Sequence, residues 1–229
     1  MLRAGGYDVH YRGKWHLSKG PKGGFGVTAE QVAAYGFDGW IAPDGGGDQL
    51  PESFGGGRAD HDAPYIAQAL EFLQERARAA PGAPPFFLVL SLINPHDVLA
   101  FPRAWQDDYE PQDLDGAIEL PPTVDEDLAA NHKPAAHAQL VPAIDFAVGP
   151  LETRAQQRQY VNFYANLTVK VDRQLAPVVD CFYQPDGTPT ELGQRSVIVR
   201  LSDHGELAMA HGGLRQKAFN VYRSPCAFR

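Results

Sequence analysis

Two neighbouring residues in the last part of the chain, Asp203 and His204, are of types that bind metal ions, and they directly follow an apolar run. A carboxylate oxygen and an imidazole nitrogen together suit a divalent cation of intermediate hardness. The segment Asp-His-Gly is also common where a strand ends in a turn, with the aspartate capping the next element. The pattern alone leaves both interpretations open, because two ligands do not make a metal site.

A second group of residues is suited to binding an anion. Lys14 and His16 stand two residues apart, so in an extended chain both side chains lie on one side and can hold an oxyanion. Residues 211–217 place His211 and Lys217 on a glycine-containing loop that can contact an anionic substrate. The alternatives are a surface lysine beside a partly buried Trp-His pair, and a solvated basic loop.

The elements that position these residues follow from the hydrophobic pattern. Residues 62–80 and 154–179 carry apolar side chains at spacings of three and four, which predicts two helices. Residues 86–93 and 196–201 are nearly continuous apolar runs, which predict strands buried on both faces of a parallel sheet. Helices that alternate with such strands favour a layered α/β protein.

Polar residues follow both predicted strands. His96 comes after the first strand, and Asp203 and His204 come after the second. Ligands of open α/β sheets bind beyond the carboxyl ends of the strands, so we expect these side chains to lie at one edge of the sheet. Between them, residues 97–153 are rich in proline and acidic residues without a clear period, which predicts a long loop excursion.

The composition excludes several classes of protein. The 229 residues include 20 Lys and Arg against 28 Asp and Glu, and the formal net charge of −8 argues against binding to nucleic acid or to an anionic membrane. Two cysteines do not make a disulfide framework, and no apolar run approaches the ~18 residues of a membrane span. The first residues lack the apolar region of a signal peptide, so nothing indicates export; compartment and oligomeric state stay open.

Four groups of motifs, in order and at similar spacing along almost the whole chain, resemble the sulfatase family of the alkaline-phosphatase-like superfamily. They are residues 2–7 with 13–17, residues 86–96, residues 164–172, and residues 201–206 with 210–217. The resemblance implies an alkaline-phosphatase-like three-layer sandwich with a central, mainly parallel sheet flanked by helices, here incomplete. It also implies a sulfuric ester hydrolase that acts on a small-molecule sulfate ester.

The resemblance assigns roles to residues that bind or turn over the substrate. Lys14 and His16 match the lysine and histidine that hold the sulfate and assist turnover of the nucleophile. His96 resembles an active-site histidine, and Lys217 resembles the lysine that binds the sulfate and helps the leaving group depart. His211 is expected near the same site, where it would bind substrate.

The resemblance further implies two cofactors. Asp203 and His204 match one pair of ligands of a divalent metal, most often Ca²⁺ in the family, with Mg²⁺ or Mn²⁺ as alternatives. The nucleophile is a formylglycine made from Cys or Ser in a Cys/Ser-x-Pro/Ala-x-Arg motif, which this sequence lacks. Neither Cys181 nor Cys226 stands in such a motif.

The family pattern places the nucleophile and two further metal-binding aspartates before the Gly-Lys-Trp-His motif, and a C-terminal subdomain after the last motif. We therefore expect residues 1–229 to be a partial sulfatase catalytic domain, inactive by itself. The alternatives are a phosphonate monoester hydrolase or phosphodiesterase of the same superfamily, which also uses an Asp-His-Gly metal motif, and a non-catalytic truncated remnant.

Overall fold

The structure is a computed structural model in which residues 1–20, 26–45, 62–80, 82–106 and 109–217 are described. The chain divides into two compact units. Unit 1 comprises Met1–Asn94 and Lys170–Ile198, and unit 2 comprises Pro95–Val169 and Val199–Arg229. The elements in chain order are β1 (Asp8–Gly13), α1 (Ala29–Ala34), α2 (Asp62–Ala77), β2 (Phe86–Ser91), α3 (Ala135–Val148), α4 (Arg154–Asp180), α5 (Glu191–Gln194) and α6 (Ala210–Gly213), with short 3-10 helices at Arg3–Gly5, His96–Ala100 and Pro111–Leu114.

The sheet of unit 1 is formed by β1 and β2, which run parallel and pair from Asp8 opposite Phe86 to Gly13 opposite Ser91. This confirms a parallel sheet and an α/β protein. The sequence analysis did not predict β1, although its burial alternates along the strand, as in a strand with one buried face. β1 ends at Gly13, where φ is +99° and an added Cβ would lie 1.9 Å from the carbonyl oxygen of Ser91, so a glycine is required there.

The two predicted helices are confirmed as α2 and α4. One face of α2 is buried, and its residues Phe72 and Leu73 pack with Phe182 and Leu192 in a hydrophobic cluster of unit 1. These contacts explain why the three-and-four spacing of apolar residues predicted α2 correctly, since that spacing places the residues on one side of a helix. No described helix is both long and apolar enough to cross a bilayer.

The second predicted strand is wrong. Residues 196–201 adopt no regular secondary structure, and Val197 and Val199 are 91% and 73% exposed. An apolar run shows which side chains can be buried, but a strand also needs a hydrogen-bonded neighbour, and no described strand pairs with this segment. The first strand is shorter than predicted, and it is half-buried rather than buried on both faces, with Phe87 40% exposed.

The excursion at residues 97–153 contains regular structure that its sequence did not indicate. The helix α3 has apolar residues around its circumference and a proline at position 142, and its one buried residue is His137. Such a helix lacks the one-sided pattern by which a surface helix is recognised. Aromatic rings form the interior of unit 2, where Phe163 lies 4.8 Å from Tyr109 and 6.2 Å from Phe101, centroid to centroid.

A titration test follows from His10 on β1. Burial, and then the charges of Arg12 and Arg76, lower the pKa of His10 below its usual 6.5. Below about pH 6.5 the unfolded chain therefore binds a proton that the folded chain does not, and the free energy of unfolding must decrease as the pH falls. Urea unfolding between pH 7.5 and 5 is expected to show a smaller decrease for His10→Gln than for the wild type.

The matched control for this measurement is His132→Gln, at an exposed histidine of unit 2. It should keep the pH dependence of the wild type. An unchanged slope in His10→Gln would contradict the assignment of this pH dependence to His10.

Candidate active site

In unit 1, the segment Lys14–His16 directly follows β1 and is fixed on several sides. The hydroxyl of Tyr11 donates to the carbonyl oxygen of Lys14 at 2.7 Å, and the Lys14 amide donates to the carbonyl oxygen of Ser91 at 2.9 Å. Trp15 is buried, whereas Lys14 is half-buried and His16 is exposed. The buried indole of Trp15 therefore anchors the segment. The two candidate residues, Lys14 and His16, precede and follow it in the sequence.

A buried carboxylate, that of Asp44, holds this segment. Its two oxygens accept the backbone N–H groups of Trp15 and His16, each at 2.9 Å, and Asp44 is only 4% exposed. His16 has a φ of +43°, in the left-handed region that L-residues seldom adopt. The Asp44 carboxylate thus stabilises the backbone conformation from which the His16 side chain projects.

The end of β2 is held in the same way by Asp62, at the start of α2. The Asp62 side chain is fully buried, and its oxygens accept the N–H groups of Ile93 at 2.6 Å and Asn94 at 2.9 Å. Two neighbouring parallel strands therefore each lead into a segment whose successive amides bind one carboxylate. Ile93 and Asn94 are the residues that precede Pro95 and His96 in the sequence.

In unit 2, the structure brings three of the predicted site residues together. The rings of His96 and His204 lie 6.4 Å apart, centroid to centroid, and Nε2 of His204 is 3.4 Å from Oδ2 of Asp203. Asp203 is largely exposed and His96 is half-buried. They meet although the strand expected before Asp203 is absent among the described residues.

The donor set at Asp203 and His204 fits two ligands of one cation. Nδ1 of His204 is 3.0 Å from the carbonyl oxygen of Gly205, which only accepts, so Nδ1 carries the hydrogen. Nε2 then lies 3.4 Å from a carboxylate oxygen, and either a proton or a metal cation between the two atoms would make this contact favourable. Two ligand atoms at this separation can both reach one ion at ~2.0–2.6 Å.

Further ligands would have to come from elsewhere, because the described residues contain no group of three or more His, Cys, Asp or Glu placed to hold a metal. The mixed nitrogen and oxygen donors are also less typical of Ca²⁺, which prefers oxygen ligands, than of Mn²⁺ or Zn²⁺.

The loop that follows is organised by Glu206. One oxygen of its carboxyl group accepts the hydroxyl of Tyr160 at 2.8 Å and the N–H groups of Ala208 at 3.1 Å and Gln216 at 2.7 Å. Burial raises the pKa of Glu206, and burial also raises the pKa of Tyr160 well above its usual value. The Glu206 side chain therefore joins the two ends of the loop, at Ala208 and Gln216. Lys217, which follows directly, is exposed.

Other contacts in unit 2 fix both ends of the same loop. Nδ1 of His211 is 2.6 Å from Oε2 of Glu126, a residue of the excursion. The Arg215 guanidinium is buried and donates to Asp145 at 2.6 Å and to the carbonyl oxygen of Gly149 at 2.8 Å. Arg215 is therefore a structural residue, and the interpretation of 211–217 as a solvated basic loop is wrong for this position.

A cavity of about 350 Å³ in unit 2 lies next to this loop. Its lining residues are Val124, Asp125, Val141, Asp145, Leu151, Glu152, Arg154, Gln157, Met209, Gly212, Gly213 and Arg215. Its charged groups are largely engaged with one another, since Asp125 pairs with Arg154 and Asp145 with Arg215.

Sequence reasoning identified the candidate side chains but missed the carboxylates that hold them. Asp44, Asp62 and Glu126 stand in no motif, whereas Glu206 ends the motif at residues 201–206. All four bind residues 28 or more positions away in the sequence. Cys226 lies outside the described residues.

Replacement of Asp44 tests its role in unit 1. Asp44→Ala leaves two buried N–H groups without their charged acceptor, so we expect the free energy of unfolding to fall by about 2–3 kcal/mol. Hydrogen exchange at the amides of Trp15 and His16 should accelerate in the same variant. Chemical denaturation and amide exchange measure the two effects.

Asp38→Asn is the matched control, because the Asp38 side chain is half exposed and pairs with an exposed Arg3. A surface pair of this kind contributes about 0–1 kcal/mol. Equal destabilisation by the two substitutions would contradict the assigned role of Asp44.

Comparison with known proteins agrees with the motifs. The family model named Sulfatase matches residues 1–226. Among solved structures, the chain is similar to a candidate sulfatase from Bacteroides thetaiotaomicron VPI-5482, with a TM-score of 0.66 and 19% identity. The match covers 97% of this chain and 43% of that chain, so the chain spans less than half the length of that structure. No protein of curated function matches.

At 19% identity the structural likeness establishes the fold, which is the alkaline-phosphatase-like α/β fold of sulfatases. The family model covers almost the whole sequence. The chain therefore belongs to the sulfatase family.

Proposed function

We propose that this chain carries the metal-binding and sulfate-binding residues of an enzyme that hydrolyses sulfate esters. The observation that supports this most is the arrangement in unit 2, where Asp203 and His204 lie beside His96 and are followed by the loop of His211 and Lys217. Transfer of a sulfuryl group needs cations and hydrogen-bond donors at the non-bridging oxygens and at the leaving oxygen. This part of the molecule offers residues for each of these tasks.

Asp203 and His204 would hold a divalent cation, Ca²⁺ by the family pattern, with Mg²⁺ or Mn²⁺ as alternatives. Of these, Mn²⁺ suits the mixed nitrogen and oxygen donors best. When bound, such an ion polarises the sulfate oxygens as a Lewis acid. The hydrogen bond from Nδ1 of His204 to Gly205 orients the ring for this role, as outer contacts of metal-binding histidines do. His96 would donate a hydrogen bond to the substrate from the neighbouring position.

Lysine and histidine side chains would bind the sulfate group itself. Lys217 supplies an ammonium group that binds a sulfate oxygen and stabilises negative charge on the departing alcohol oxygen. In unit 1, Lys14 and His16 form a second pair that can bind an oxyanion, held in place through Asp44. His211 would donate a hydrogen bond to the substrate from the same loop as Lys217.

The formylglycine nucleophile of the family cannot arise from this sequence, because neither cysteine and no serine stands in a Cys/Ser-x-Pro/Ala-x-Arg motif. The 229-residue chain is therefore expected to show no turnover of 4-nitrophenyl sulfate. Hydrolysis by homogeneous protein that is lost in Asp203→Ala would contradict this expectation.

Metal binding is tested with Mn²⁺, which electron paramagnetic resonance detects directly, and with Ca²⁺ as competitor. Asp203→Ala removes one of two adjacent ligands, so the dissociation constant for Mn²⁺ should rise at least ~10-fold. The control is Asp115→Ala, an exposed aspartate of unit 2, which should bind Mn²⁺ like the wild type. Equal affinity of the two variants would overturn the assignment of Asp203 and His204.

The choice between sulfate and phosphorus esters is tested on the Mn²⁺-loaded chain. Inorganic sulfate should bind more tightly than phenylphosphonate, as measured by calorimetry, and Lys217→Ala should weaken sulfate binding. Tighter binding of phenylphosphonate would favour the phosphonate monoester hydrolase or phosphodiesterase function. Binding of neither anion would leave only the non-catalytic alternative.

A further inference from the structure

The pair formed by His211 and Glu126 is a close contact between the candidate loop and the excursion. Oε2 of Glu126 is 2.6 Å from Nδ1 of His211, and the two side chains are only 10% and 12% exposed. Such a short contact between a carboxylate and a ring nitrogen, in a partly dry setting, is a strong charge-assisted hydrogen bond. The family motifs do not include Glu126, which lies 85 residues before His211.

The backbones of the two segments are joined as well. The His211 amide donates to Oγ1 of Thr123 at 3.2 Å, and the Gly212 amide donates to the Thr123 carbonyl oxygen at 2.9 Å. An added Cβ at Gly212 would lie 2.8 Å from the carbonyl oxygen of Glu126. Two hydrogen bonds from backbone amides to Thr123, and one close approach that only glycine permits, thus place His211 next to Glu126.

The protonation of the pair follows from the hydrogen-bond capacities of its atoms. The hydrogen bond from His211, and then the one from Asn131, lower the pKa of Glu126, so this carboxyl is ionised at neutral pH and can only accept. Nδ1 of His211 therefore carries the hydrogen. Any proton that His211 exchanges with a ligand must be carried by Nε2.

We propose that Glu126 is a positioning residue that holds the hydrogen of His211 on Nδ1 and directs Nε2 toward an oxygen of an anionic substrate. This inference rests on the sulfate-binding function proposed above. The doubly protonated ring donates from both nitrogens, to Glu126 through Nδ1 and to the substrate through Nε2. The excursion thereby takes part in substrate binding through a residue that does not touch the substrate.

The surroundings of Glu126 hold it in this role. Asn131 donates to Oε1 of Glu126 at 2.9 Å, and Nζ of Lys133 lies 3.7 Å from the same oxygen. One oxygen of the carboxylate is thus bound within the excursion, while the other is directed at His211. The carboxylate cannot rotate away without breaking the contact to Asn131.

The first arm of the test needs no activity. Long-range ¹H–¹⁵N spectra of the full chain report which nitrogen of each histidine is protonated, and the His211→Gln spectrum assigns the resonances of His211. We expect Nδ1 of His211 to be protonated from pH 6 to 8 in the wild type and in Glu126→Asp. In Glu126→Gln, a mixture of tautomers should appear.

The second arm measures the binding of inorganic sulfate by the same proteins, loaded with Mn²⁺. Glu126→Gln should weaken sulfate binding by ~10- to 100-fold, the range found when a group that orients a functional histidine is removed. Glu126→Asp should restore part of this loss. Glu152→Gln is the control, because it removes one negative charge from an exposed carboxylate of the same unit.

The two arms separate failure of this inference from failure of the proposed function. If Nδ1 of His211 is unprotonated in the wild type, or stays fully protonated in Glu126→Gln, the inference is overturned. If the tautomer behaves as expected but the wild type binds no sulfate, the proposed function fails and the assigned role of His211 fails with it. An equal loss of sulfate binding in Glu126→Gln and Glu152→Gln would show that the loss comes from the change in net charge. That result would also overturn the inference.

Discussion

Buried carboxylates that accept backbone N–H groups determine the path of the chain wherever the candidate residues occur. Asp44 binds two successive amides after β1, Asp62 binds two after β2, and Glu206 binds two within the loop that leads to Lys217. A carboxyl group can leave water only where donors replace its hydration, so each of these residues tolerates few alternative conformations of the chain around it.

The same carboxylates explain three of the unfavourable backbone angles near the candidate site. His16, Ala208 and Gln216 all have positive φ, and the amide of each donates to Asp44 or Glu206. A left-handed conformation costs an L-residue about 1–2 kcal/mol, and a hydrogen bond to a charged acceptor returns a similar amount of about 1.5–3 kcal/mol. The hydrogen bonds to the buried carboxylates thus offset the backbone strain, and together they hold these short loops in a single conformation.

These carboxylate contacts also show which parts of the structure the sequence alone could not predict. The helices α2 and α4 were predictable because their apolar residues recur within one local segment. The candidate site residues could be named because their motifs are contiguous. Strand pairing and carboxylate contacts join residues that are distant in the sequence. Residues 196–201 have the apolar character of a strand, but no described strand pairs with them. Nothing in the sequence around Asp44 indicates that it binds His16. Glu126 was hidden for the same reason, within a segment that the sequence predicted only as a long loop excursion.

The proposed binding of an anion by an acidic chain presents an electrostatic difficulty, which the buried carboxylates resolve in part. The formal net charge of −8 counts Asp44, Asp62 and Glu126 as equal to surface acids. In the structure the charges of Asp44 and Asp62 are compensated by backbone N–H dipoles that point at them, and that of Glu126 by Asn131, Lys133 and His211. Their fields are therefore largely directed into local donors, so short-range hydrogen bonding would decide the proposed anion affinity more than the net charge does. Glu126 binds His211 through Nδ1, which leaves Nε2 as the ring atom that could face the anion.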